Sequence, residues 1–169
     1  MALTTVNPGN FENPDTGQPG SIAVTTPSNT GHASSTASAS GGSAQSKSCR
    51  WFAFPSVPGV TLSATLKIDH TSSGALSGAG DKSNGFRLQY SLNNGGSWTD
   101  AVLRTNFTTS DGPTTFSFVL LIGQDLTQVQ IRDFMEAVSD VGNSASASAT
   151  IANIKIEVVT QDSQPVVLW

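Results

Sequence analysis

The chain has 169 residues, 12% of them charged, with 8 Lys and Arg against 12 Asp and Glu. That length suits one domain with a sizeable core, while a net charge of −4 lacks the basic footprint that binding to a phosphate backbone needs. Cys49 is the only cysteine, which excludes an internal disulfide and a thiolate metal cluster.

In chain order, residues 1–20 carry Pro8-Gly9, Pro14-Asp15 and Pro19-Gly20, breakers that predict an irregular, extended N-terminal arm. The opening segment has neither a basic leader nor an apolar run, and no stretch is long and apolar enough for a membrane span. The expectation is a chain made in the cytosol, a phage or virus component, or a piece of a larger secreted chain, without membrane insertion. SIAVTT from Ser21 predicts a short strand. Residues 31–48 are rich in Ser, Ala and Gly and read as a linker by composition, although Ser35, Ala37 and Ala39 share a parity that a closely packed strand would use. Cys49 to Phe54 reads as extended, with Trp51 and Ala53 on one face and Phe52 and Phe54 on the other. Large groups on both faces suggest a central strand or a face covered by another chain. Cys49 itself, beside Arg50 and Trp51, reads as a buried small hydrophobe rather than a reactive thiol.

The strongest signal follows. Val60, Leu62, Ala64, Leu66 and Ile68 alternate with Thr61, Ser63, Thr65, Lys67 and Asp69, a period of two that marks a strand with one buried face. Residues 70–85 read as a polar, glycine-bearing loop. Phe86, Leu88, Tyr90 and Leu92 alternate again, and Asn93-Asn94-Gly95-Gly96 supplies a turn before Trp98. Further strands are expected over 102–109 and through TTFSFVLL, where Phe116, Phe118 and Leu120 share a face. Val129 and Ile131 predict a strand to about Phe134, with a loop or short helical turn through Val141. Ala145, Ala147, Ala149 and Ile151 alternate with Ser or Thr. The parity then breaks before Ile154, which places a bulge near Ala152-Asn153. The pattern is all-β, an antiparallel β-sandwich, with jelly-roll topology one candidate among several. Its expected limits are 21–160, followed by an apolar tail over 161–169.

The order of SKSCRWFAFP, GVTLSATLKID, FRLQYSLNNGGSWT and the small-residue stretch before IKIEVV resembles jelly-roll-like β-sandwich modules recurrent in tailed-phage structural proteins and bacterial surface proteins. The resemblance spans roughly residues 20 to 160. It implies a jelly roll in a virion or surface protein and transfers no catalytic residue. The chain departs from that pattern in its long 70–85 loop and its apolar final tail.

Catalytic constellations are not found in the sequence. Neither His32 nor His70 has a second His at i+2 or i+4, and there is no HExxH, nucleophile elbow or phosphate-cradling loop. The acidic residues are scattered and mostly sit at turns, where Asp is expected for local hydrogen bonding. The expectation is therefore a non-enzyme with no catalytic residues, no metal and no cofactor. Asp81 with Asn84, or Asp111, are the candidate ligands should a structural calcium bind.

The first functional expectation is a structural protein of a phage virion, a head decoration or a tail or fibre component. It would pack against other copies of itself and other virion proteins through Val166, Val167, Leu168 and Trp169, with Trp51 as a further contact. The alternative is a carbohydrate-binding or adhesive module at a cell surface or outside the cell. Its loops 70–85 and 93–97 would line a shallow groove with Trp98, Asn94 and Asp81 facing a glycan.

Overall fold

The computed structural model describes residues 1–12 and 21–161. Eleven strands form two antiparallel sheets that pack face to face as a β-sandwich. The strands are β1 (Ala2–Val6), β2 (Asn10–Glu12), β3 (Ser21–Thr25), β4 (His32–Ser40), β5 (Ser43–Phe52) and β6 (Val60–Ser77). They continue with β7 (Lys82–Ser91), β8 (Thr99–Thr105), β9 (Asp111–Leu120), β10 (Gln130–Ser139) and β11 (Ser144–Gln161). One sheet runs β3-β4-β11-β6-β9, with β1 also paired to β11, and the other runs β2-β5-β10-β7-β8. From β4 onward the chain passes between sheets at β4–β5, β5–β6, β6–β7, β8–β9, β9–β10 and β10–β11.

Alternation decides which side chains enter the space between the sheets. Leu66 and Ile68 from β6, Phe86 and Leu88 from β7, Ile131 and Met135 from β10, and Ile156 and Val158 from β11 are fully buried. The expected bulge in β11 is present. The register to β6 shifts between Ala152 and Lys155, and Asn153 adopts a positive φ of 52°, which lets Ile151 and Ile154 both point inward. In the same way Ala53, at φ 60°, flips the parity after β5, so Trp51 and Phe54 share the core instead of facing opposite ways.

Four expectations need correction. The described part of the N-terminal arm is not irregular: β1 joins β11 in one sheet and β2 joins β5 in the other. Its Pro8-Gly9 breaker is only the crossing point, where Gly9 N–H donates to the Ala53 carbonyl at 3.0 Å. Residues 31–48 are not a linker. They form β4 and most of β5, joined by Gly41-Gly42, and β4 is ordered by ladders to β3 and β11 on its two sides. Low side-chain volume signals disorder only when the backbone has no partner. The 70–85 loop is largely strand, since β6 runs to Ser77 and β7 begins at Lys82, leaving a turn at 78–81. The helical turn expected after Phe134 is also strand, because Met135 and Ala137 continue the buried parity of Ile131. Val166, Val167, Leu168 and Trp169 lie outside the described residues.

Candidate functional site

The three residues expected to face a glycan do not share a groove. Asp81 lies in the turn before β7, whereas Asn94 and Trp98 lie beyond its other end. Ten strand residues separate them, a distance of roughly 33 Å at about 3.3 Å per residue. At the near end, the Asp81 carbonyl accepts the Asp140 N–H at 3.0 Å and Asn143 Oδ1 accepts the Gly80 N–H at 2.9 Å, so two turns pin each other. At the far end, Asn94 and Trp98 join a polar layer on the outer face of the β2-β5-β10-β7-β8 sheet. The Arg132 guanidinium stacks 4.1 Å from the Trp98 ring centre, a cation–π contact. Its Nε donates to Gln89 Oε1 at 2.7 Å, and Gln89 Nε2 donates to Asp100 Oδ1 at 2.6 Å. Gln130 Nε2 donates to Asn94 Oδ1 at 2.7 Å, and Arg50 pairs with Glu12 at 2.7 Å above the Phe52 ring. Burial holds Arg132 below its usual value, with Asp100 pulling the other way and Arg87 adding to the drop. This surface offers amides, a carboxylate and a half-buried indole, but Arg132 already covers the indole. Tyr90 of β7 faces the core, with ring centres 4.7 Å from Phe118 and 5.8 Å from Phe116.

Trp51, expected at a subunit interface, is a core residue of its own chain. It is 1% exposed, and its indole N–H donates to the Ser28 carbonyl at 3.0 Å. Beside it lies a cluster that sequence reasoning missed. His32 from β4 reaches across the sandwich to Asp133 from β10, with Nε2 and Oδ2 2.7 Å apart and both side chains buried. The backbone N–H of Cys49 in β5 donates to Asp133 Oδ1 at 2.9 Å. One ring nitrogen of His32, one Asp133 oxygen and the Cys49 sulfur lie within 4.8 Å of one another. The Trp51 ring sits 5.8 Å from the imidazole. His32 Nδ1 is buried with no hydrogen-bond partner among the described residues, a state that costs about 1–3 kcal/mol when nothing compensates it.

Local sequence builds this cluster in an identifiable way. Gly31 precedes His32 at φ 141°, and a Cβ there would overlap the Ile151 carbonyl, so the chain can bring His32 close to β11 only through glycine. No spacing rule links residues 32, 49 and 133. The readable signal was Asp133 itself, a carboxylate on the same parity as Ile131 and Met135. Such a group must find a partner inside the protein.

The calcium candidates separate as well. Asn84 is buried, donating to the carbonyls of Phe107 at 2.8 Å and Ser146 at 2.7 Å and accepting the Phe107 N–H at 2.9 Å. Both ends of its amide are committed to joining the sheets, which leaves none for a cation beside Asp81. Asp111 lines a cleft of about 260 Å³ with Ser34, Thr71, Ser73, Ser110 and Ser148, one carboxylate among hydroxyls. No family model matches the chain, and no curated protein matches it.

Proposed function

We propose that the protein is a non-enzymatic structural subunit of a repetitive assembly, a head decoration or a tail or fibre component of a phage virion. The observation that carries this reading is the apolar corner at the end of β9. Val119, Leu121 and Ile122 are 67%, 76% and 79% exposed, and among the described residues β9 is an edge strand that pairs with β6 alone. An unpaired edge flanked by exposed aliphatic side chains is a surface that another chain stabilises by burial and strand pairing. Val60, also exposed, pairs with Gln161 on the same sheet. The strand order supports a jelly-roll reading, because β4-β11-β6-β9 opposite β5-β10-β7-β8 fits two interleaved Greek keys, an architecture used in viral capsids and in lectins.

Size-exclusion chromatography with light scattering, followed by imaging of any large particle, tests the proposal. Wild-type protein should assemble as concentration rises. A Leu121→Asp/Ile122→Asp double variant and a deletion of residues 166–169 should each reduce assembly while keeping the far-UV spectrum of a β protein. A wild-type chain that stays monomeric at high concentration would end this reading.

The second reading, a carbohydrate-binding or adhesive module, is favoured by the amides of Asn94, Gln130 and Gln89 beside the half-buried Trp98 on one outer face. Binding on a glycan array that Trp98→Ala abolishes would support it. A blank array would remove it.

A further inference from the structure

The His32–Cys49–Asp133 cluster lies outside both functional readings, and its chemistry points to a ligand. Three side chains from three strands converge across the gap between the sheets, and each offers a donor atom within 4.8 Å of the other two. All three are buried, so their rotamers are held by packing before any ligand arrives. We propose that His32, Cys49 and Asp133 bind a borderline divalent cation, zinc before others.

The donor set decides the class of ion. One imidazole nitrogen, one thiolate and one carboxylate suit zinc or cobalt, while calcium and magnesium prefer oxygen alone. The short His32–Asp133 hydrogen bond places a proton between two ligand atoms. A cation entering there takes the Nε2 lone pair while the ring proton shifts to Nδ1, the thiol proton leaves to solvent, and the two ligand atoms open to a common centre. The Cys49 N–H on Asp133 Oδ1 is the kind of outer contact that fixes a ligating carboxylate. His32 Nδ1, buried without a hydrogen-bond partner among the described residues, is the atom that carries the ring proton once Nε2 binds the cation. Three protein ligands leave a fourth tetrahedral position for water. His32 also borders a shallow cleft of about 210 Å³ with Ser28, Thr30, Gly31 and Ile151, the surface nearest the cluster on that side.

The test uses the full chain, purified, stripped with a chelator and titrated with cobalt(II). The expected result is one cobalt per chain, with tetrahedral d–d bands and a sulfur-to-cobalt charge-transfer band, both removed by zinc. Cys49→Ser should abolish the charge-transfer band, and His32→Gln and Asp133→Asn should each weaken binding by at least about tenfold. His70→Gln, at the other buried histidine, should change nothing. Circular dichroism identifies which variants fold. If none of the three does, the wild-type spectrum and a rise in Tm with zinc decide the matter alone. A folded wild-type chain that shows no sulfur-to-cobalt band in excess cobalt overturns the proposal, as does a folded Cys49→Ser variant that keeps the band.

Discussion

Strand β11 has two halves that are equally buried and built from different residues. Before the bulge at Ala152-Asn153 its inward side chains are Ala145, Ala147 and Ala149, with Ile151 at the junction, and after it they are Ile154, Ile156 and Val158. The first half pairs with β4, whose inward residues are Ser35, Ala37 and Ala39, and the second with β1 and the apolar start of β6. Burial of an isoleucine contributes about 1.5–3 kcal/mol and an alanine much less, so the two halves are stable for different reasons. Polar groups replace the missing hydrocarbon in the small-residue half. Asn84 joins the sheets there, while Ser35 Oγ, both ends of the Gln45 amide and Ser139 Oγ are buried with no partner among the described residues. Ordered water is the usual partner of such groups. The backbone ladders, rather than side-chain burial, hold that half together.

Four perturbations break or sharpen this contrast. Asp133→Ala acts at the seam between the halves, removing the acceptor of both the His32 ring and the Cys49 N–H. It should cost about 1–3 kcal/mol for each of the two buried donors left unmet, read as a fall in the urea midpoint. Ile156→Ala in the large half should cost about 2–5 kcal/mol, and a loss below that range would mean the half collapses around the cavity. Ala147→Val in the small half should destabilise by about 1–3 kcal/mol through overpacking. A neutral or stabilising outcome would instead reveal spare volume beside the unpartnered polar groups.

The smallest effect is a pH dependence. Burial holds His70 below its usual value of 6.5, against the upward pull of Asp111 and Asp69. The unfolded chain therefore takes up a proton that the folded one refuses. This group's contribution is complete above about pH 6.5 and declines as pH falls below it. His70→Gln should flatten that decline in thermal scans. Asp69 and Glu157 are held low by their hydrogen bonds to Asn153 and Thr115 and to Lys67 and Lys155. Their contribution persists until pH falls below the usual carboxylate values, so the two windows separate.

The same contrast explains what could be read in the sequence. The large half announced itself, because Leu66, Ile68, Ile154 and Ile156 carry enough hydrocarbon to expose a period of two, and the parity break located the bulge. The small half did not. β4 looks like a linker and the end of β6 like a loop, since Ser, Thr, Ala and Gly side chains are nearly silent about facing. Their order comes from neighbours far away in the chain, as Ala37 pairs with Ala147. The His32–Asp133 contact joins residues 101 positions apart and has no local signature beyond an acid on an apolar face.

The clasp formed by β1 and β2 has a consequence for how the molecule is made. Ala2 pairs with Thr160 and Val6 with Ile156, so residues 2–6 wait until residues 156–160 have been made before they find their places. Closing loops of that span is slow compared with hairpin formation. During that wait β1 stands without β11 and is open to other nascent copies.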